Sequence, residues 1–429
     1  MTWYQRYQWQ HFYRTSFWFF PVCAVATGLL LLQVLPWLDE FLGWPWFNFT
    51  ADGARAVLGG LNGSMLTFVV FVLSSMLLVV QLASAQLTPR VIVIAFAAPA
   101  PKLCVAVFTF AYVCSLGVLG RLESRVNQLG VAVSVVSTVV SLCLFFWFVH
   151  RLARSLRPIS VLQHVCEEGR KVAQSVYPRG FETAQEAEPA LLPSPARLVT
   201  HKGASGVFLA FGMTELVRLA RAAHCMIELV PQVGDFVSKG EPLFRIHPEN
   251  APVHEDQLQA AVAIGAERTL EQDPCFAFRI MVDIAARALS PAINDPTTAV
   301  TALDQVHRLL RYIGGRQLDP GVIKDSAGQV RLLYPTPRWE DIVCLAVSEI
   351  RLFGANSIQV PRRLRAMLEH LITILPPPRI PALRQELELV RAAVERFYTD
   401  AVDRRRADLG DLQGVGGLDR QKVVSFKPE

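Results

Sequence analysis

Apolar and polar positions divide this chain into two halves of different character. Residues 15–38, 56–89, 103–120 and 126–150 contain no Asp, Glu, Lys or Arg. An apolar run of about 20 residues crosses hydrocarbon as a helix, because lipid offers the backbone no partner outside the segment. The pattern predicts membrane helices at 16–37, 60–86, 103–120 and 128–150. The second run is longer than a bilayer needs, which predicts tilt or protrusion. Beyond Arg151 charges become frequent and apolar runs shorten, so a large soluble half follows.

Lys and Arg near the helix ends set the expected orientation. Arg6 and Arg14 precede the first helix, Arg90 and Lys102 lie between the second and third, and Arg151, Arg154 and Arg157 follow the fourth. The other two loops hold Arg55 among Asp39, Glu40 and Asp52, and Arg121 and Arg125 beside Glu123. This bias predicts a multi-pass protein with both termini and the soluble half in the cytoplasm. The first run lacks a small-residue cleavage site and is read as a retained helix. Ahead of it, Trp3, Tyr4, Tyr7, Trp9, Phe12 and Tyr13 alternate with Arg and Gln, which suits an aromatic anchor at the headgroup level.

Composition narrows the classes. Of 429 residues, 52% are hydrophobic and 18% charged, below the ~25% charged share of soluble domains. A simple soluble enzyme and a disordered chain are both excluded. The net charge of +5 has its source at the membrane flanks, so nucleic acid is not indicated as a partner. Eight cysteines without a C-x-x-C pair predict reduced thiols and no zinc site.

The apolar runs carry no Asp, Glu, Lys or Arg, and His150 stands at the edge of its run, so a charge-relay transporter is disfavoured. What remains are hydroxyl and amide stripes. Ser64, Thr67, Ser74 and Gln81 share one face of the second helix; Ser134, Ser137, Thr138 and Ser141 share one face of the fourth; Thr109 and Ser115 sit on the third. Such residues let helices approach closely, and they can equally line a narrow polar path, with Gln81 and Gln86 at its inner mouth. The spacing leaves both readings open.

The expected division is a transmembrane domain at 1–157, a juxtamembrane helix and linker at 158–197, a β-rich module at 198–260, a helical domain at 261–406 with a hairpin near 321–334, and a flexible tail at 407–429. In the β-rich part, a helix over 213–223 is expected with Thr214 as its cap. Val233-Gly234-Asp235 and Lys239-Gly240-Glu241 are turn tripeptides between strand-forming residues. Their spacing resembles the hairpin of lipoyl and biotinyl barrel-sandwich modules. Where carrier versions of that fold place a modified Lys, this chain reads HPEN, so no cofactor is expected.

In the helical part, Asp273 before Pro274 is an N-cap with Pro at the first helical position. Arg279, Asp283 and Arg287 follow at four-residue spacing on one helix face. Asp295 caps the next helix, so Arg279, Asp283, Arg287, Asn294, Asp295, Thr297 and Thr298 meet at a polar corner. The corner reads as a capped helix junction, as a ligand or subunit contact, or as an Asp283–Asp295 catalytic dyad with no nucleophile beside it.

The run DPCFAFRIMVDIAARALSPAINDPTTAVTALD at 273–304 strongly resembles the signature of a bacterial membrane-protein family, the domain of unknown function 2254. SSMLLVVQLASAQLTPR at 74–90 resembles its second-helix signature. The resemblance covers nearly the whole chain and implies four membrane helices with a cytoplasmic domain. It brings no activity and no catalytic residues.

Phosphate-loop, dinucleotide, zinc-protease and nucleophile-elbow motifs are absent from the sequence. The best metal-like group, His247, His254, Glu255 and Asp256, lies in a Pro-Asn-rich loop where its members need not converge, and no metal is expected. The expected fold is thus mainly α, with four transmembrane helices and a cytoplasmic α+β domain that holds a small barrel-sandwich-like module. The expected function is a homo-oligomeric channel-like protein for an ion or small solute. The alternative is a membrane-anchored scaffold or sensor whose cytoplasmic domain binds a protein partner or ligand. An enzyme is not expected.

Overall fold

The computed structural model describes residues 3–42, 49–86, 90, 99–122, 126–155, 157–181 and 195–416. Contacts divide the chain into two compact units: residues 10–160, and residues 1–9 together with 161–429. Most of the expected linker and the last 13 residues lie outside the described residues.

Helix α1 (Trp3–Thr15) is followed by four helices long and apolar enough to cross a membrane. These are α2 (Phe19–Leu42), α3 (Ala51–Gln86), α4 (Pro99–Gly120) and α5 (Gln128–Ser155). Helix α4 is the centre of the unit and packs against α2, α3 and α5. Its Cys104, Phe108, Ala111, Cys114 and Ser115 are fully buried. Gly117 explains how close α2 comes, since a Cβ there would lie 2.0 Å from Leu32 Cδ1.

The polar residues at one end of this unit terminate helices. Asp39 of α2 accepts the amides of Gln128 and Leu129 at 3.2 and 2.9 Å, so it caps α5 from a neighbouring helix. Asn127 accepts from Gly130 N at 2.7 Å. Arg55 donates to the Leu122 carbonyl at 3.1 Å, and Arg121 donates to that of Leu32. The bonds at Gln128, Leu129, Gly130 and Leu122 satisfy groups that a helix end leaves without an internal partner. The Leu32 carbonyl lies inside α2, where Pro36 four residues on has no N–H to offer it.

The second unit begins with α6 (Pro158–Val176) and two sheets. Strands β1 (Arg197–Thr200), β5 (Pro242–His247), β3 (Met226–Leu229), β8 (Val330–Leu333) and β7 (Val322–Lys324) form one sheet in that order. Strands β4 (Phe236–Val237), β2 (Gly206–Phe211) and β6 (Val262–Gly265) form the other. Phe208, Leu216, Ile227, Leu243, Phe244, Ile246 and Leu332 lie in one core cluster with members from both sheets. The two turn tripeptides form as expected, with Gly234 and Gly240 at φ +99° and +90°, a region where a side chain is strained. The hairpin near 321–334 also forms, and its strand β8 pairs in parallel with β3, so it completes the sheet of the β-rich part. Helix α7 (Met213–Ala222) has Gly212 as its N-cap with no side-chain bond, so Thr214 does not cap it.

Of the N-terminal aromatics, Trp3, Tyr4 and Tyr7 differ from the expectation of a lipid anchor, while Trp9, Phe12 and Tyr13 are exposed. The Trp3 ring rests on Gly212, Tyr4 N donates to the Ala260 carbonyl at 3.3 Å, and Tyr7 meets Glu271 and Thr269. Burial, and then the bond to Glu271, push the Tyr7 phenol well above its usual range. These residues belong to the soluble unit, where an aromatic body fills a surface and a polar tip finds a partner.

After the short helix α8 (Glu255–Gln259), helices α9 (Pro274–Ala288), α10 (Pro296–Gly314), α11 (Trp339–Gly354), α12 (Gln359–Ile374), α13 (Ile380–Phe397) and α14 (Ala401–Ala407) build a helical layer. The prolines at 376–378 separate α12 from α13 as expected, and Tyr398–Asp400 separates α13 from α14. The tail is not frayed up to Gly416. Arg362 donates to the carbonyls of Leu409 and Gly416, and buried Asp411 accepts the amides of Gln413, Gly414 and Gly416. Helix α6 reaches this layer through Gly169, where a Cβ would stand 2.5 Å from Ala277 Cβ and 3.2 Å from Leu309 Cδ2.

Gly169→Val is therefore expected to push α6 off α9 and α10. Overpacking of this kind costs about 1–3 kcal/mol. It should appear as a lower melting temperature of the detergent-purified protein; an unchanged melting curve would remove α6 from the core.

Candidate functional site

The Pro-led caps form as the sequence indicates. Asp273 accepts Phe276 N at 3.1 Å and starts α9. Burial pushes its carboxyl up, opposed by Arg268, whose Nε bonds it at 2.5 Å. Asp295 starts α10, accepting Thr298 N at 3.0 Å on one oxygen and the Thr298 hydroxyl at 2.6 Å on the other. Its own amide donates to the Ala288 carbonyl at 2.7 Å, tying the new helix to the end of α9. Asn294 makes the reversal with φ +47°, a left-handed conformation that Asn tolerates better than most residues.

The seven expected corner residues fall into groups with different partners. Arg279 Nε bonds Asp283 at 2.7 Å, while its two terminal nitrogens grip the Glu349 carboxylate of α11, one of them at 2.8 Å. Asp295 and Thr298 form the cap, and Thr297 accepts the Thr301 hydroxyl on its carbonyl at 2.9 Å. Asp283 is thus engaged in an ion network and Asp295 in a helix cap. Arg287, Pro291, Ala292, Ile293, Asn294 and Thr297 are exposed, so the corner offers a surface to the solvent side. Glu349 was not singled out in the sequence. Its 70-residue separation from Arg279 leaves no local signal.

A second polar group also escaped the sequence. Arg363 of α12 is buried and donates to Asp304 at 2.7 Å and to His307 Nδ1 at 3.0 Å. Arginine can only donate, so His307 Nδ1 is an acceptor and its proton sits on Nε2. That proton points to His370 Nδ1 at 2.8 Å. The result is a directed chain Asp304–Arg363–His307–His370 between α10 and α12. Burial first, then Arg363, His370 and Arg311, lower the His307 pKa to about 4.

The metal-like loop residues do not converge. His247 bonds Glu228 at 3.2 Å, Glu255 pairs with Lys202 at 2.7 Å, and no group that could hold a metal forms among the described residues.

The two membrane stripes point in opposite directions. Ser134, Thr138 and Ser141 of α5 are buried inside the unit. Their hydroxyls return to backbone carbonyls at Gly130, Ser134 and Ser137, and Ser137 bonds Ser134, all within 2.8–3.0 Å. Ser64, Thr67, Ser74 and Gln81 of α3 are all exposed. Ser64 and Thr67 bond the carbonyls of Gly60 and Gly63. Ser115 of α4 is buried and reaches the Leu58 carbonyl at 3.4 Å. The side chain of Gln86 lies outside the described residues.

Four helices long and apolar enough to cross a membrane among the described residues, with a second unit of mixed α and β structure, define a multi-pass membrane protein. The chain belongs to the family described as predicted membrane protein DUF2254, whose profile matches residues 14–370. It is similar to uncharacterized proteins of Mycobacterium bovis and of Mycobacterium tuberculosis strain H37Rv. Each is 28% identical over 411 residues, covering 90% of this chain and 78% of the relative. No solved structure matches at a significant level.

Two outcomes follow from the corner and the chain. Asp295→Ala removes a cap, a loss of about 0.5–2 kcal/mol, so the melting temperature should fall; an unchanged melt and unchanged particle mass would argue against a junction that holds the unit together. His307 is neutral in the fold, and its folded pKa lies below the ordinary histidine value of 6.5. Its contribution to stability is present above that value and fades as pH falls toward about 4. His307→Gln should flatten this acid slope in melts taken between pH 7 and pH 4, and an equally steep slope would assign it to other groups.

Proposed function

We propose that this protein works as a homo-oligomer in the bacterial inner membrane, in which α3 helices of neighbouring copies surround a narrow polar path for an ion or small solute. In this reading the soluble unit lies on the cytoplasmic side as vestibule or gate. The exposed stripe on α3 carries the reading. Gly60, Thr67, Ser74 and Gln81 recur at strict seven-residue spacing, the repeat that keeps two helices in contact along a left-handed crossing. Small side chains there allow close approach.

The chemistry of the stripe favours a partner other than lipid. Ser64 and Thr67 bond their own backbone and can face hydrocarbon at little cost. A primary amide such as Gln81 has two donors and an acceptor, and leaving them unanswered in an apolar medium costs several kcal/mol. A neighbouring copy, or water in a path between copies, answers them. The α5 hydroxyls are buried and engaged, so the path is assigned to α3 and not to both stripes. Residues 1–9 share a compact unit with residues 161–429, which suits an even number of crossings and agrees with the Lys and Arg bias.

A scaffold or sensor is the second reading, favoured by the exposed front of the corner and by Leu352 and Phe353 of α11, which are 61% and 54% exposed.

The test is the mass of the nanodisc particle, followed by ion flux from proteoliposomes. A defined oligomer that passes ions is expected, and Gln81→Leu together with Thr67→Leu should cut flux at least about tenfold with the mass unchanged, since desolvated ions lose their polar lining. A monomer, or an oligomer inert to common ions, would overturn the channel reading in favour of the scaffold.

A further inference from the structure

The last two helices enclose a cleft that no role described so far uses. Its cavity volume is about 310 Å³, and its lining includes Arg391 and Glu395 of α13, Arg404 and Arg405 of α14, and Asp408, over a floor formed by Val394. This is the lower end of the ~300–1,000 Å³ range of ligand clefts, so a small ligand fits.

The charges do not cancel within the cleft. Asp408 is already held by Arg365, which also bonds Glu369 at 2.8 Å. Arg391 bonds Glu388 at 2.6 Å and keeps further N–H groups. Arg404 makes one long bond, 3.4 Å, to the Thr399 carbonyl. Arg405 has no ion pair or hydrogen bond among the described residues and is exposed. Basic residues in the last turn of a helix complement its dipole, which accounts for Arg404 to Arg406 along α14. It does not account for Arg391, which comes from another helix to line the same concavity. Converging guanidinium groups with spare donors match the oxygens of a phosphate. Val394 and Ala401 give the cleft an apolar part that suits the organic portion of a phosphate ester.

We propose that the α13–α14 cleft is a binding site for a phosphate-bearing anion, held by Arg404 and Arg405 with Arg391 and limited in charge by Glu395. The group can come from a lipid headgroup or from a soluble phosphate ester, and the experiment separates these sources.

The full-length protein in detergent is titrated with inorganic phosphate, with glycerol phosphate and with chloride as the control anion. Retention of phosphatidylglycerol against phosphatidylcholine is read on the same sample by native mass spectrometry. Phosphate or glycerol phosphate binding, or selective retention of phosphatidylglycerol, is expected. Binding of the free anions identifies a soluble source, and retention without competition by them identifies a lipid. R404Q with R405Q should weaken the observed ligand at least tenfold, while R384Q on an exposed part of α13 leaves it unchanged. E395Q should tighten binding, a gain that a misfolded variant does not produce. Absence of all binding, equal binding of chloride, or loss equal in R384Q and the double variant would overturn the proposal, as would weaker binding in E395Q.

Discussion

Inside hydrocarbon, every backbone amide must find its partner within its own helix, because neither water nor a loop is there to supply one. The membrane unit is arranged around that constraint. The hydroxyls on α5 fold back onto carbonyls of their own helix, and the charged residues are confined to helix ends. Asp39 caps α5 across a helix boundary, Arg55 takes up the Leu122 carbonyl just past the end of α4, and Arg121 takes up the Leu32 carbonyl that Pro36 leaves open inside α2. Once these local solutions are used, the Gln81 amide remains exposed on α3.

The soluble unit meets the same demand by other means. Two of its helix starts are capped by carboxylates that precede Pro: Asp273, bonded by Arg268, and Asp295, bonded by the Thr298 hydroxyl. Charges between these helices come in bonded sets, as where half-buried Arg279 grips Asp283 and Glu349, or where buried Arg363 joins Asp304 to His307. These sets tie α9 to α11 and α10 to α12, and removing one partner leaves the other charge unpaired.

What the sequence revealed is what local chemistry controls. The four apolar runs, both Pro-led caps, the Gly234 and Gly240 turns and the break at residues 376–378 are written in neighbouring residues, and all form. The parallel pairing of β8 with β3 was not legible, because it joins strands about a hundred residues apart and carries no turn signal. Glu349 and the His307–His370 contact escaped for the same reason. The aromatic N-terminus misled by composition: Trp and Tyr suit a membrane interface and a protein groove equally, and only tertiary structure decides between them. The tail misled in another way, since glycines that suggest fraying also permit the tight turns around Asp411. Of the two membrane stripes, spacing showed that each shared a face but not which face was covered.

The placement of Trp3 and Tyr7 among residues 212–271 sets an order on how the molecule is made. The ribosome delivers the first nine residues long before the segments that receive them, and four hydrophobic helices must be handed to the bilayer in between. Throughout that interval helix α1 lacks the surface that its aromatic residues pack against. Synthesis therefore returns to a segment already made: Trp3 and Tyr7 are seated only once residues 212–271 exist.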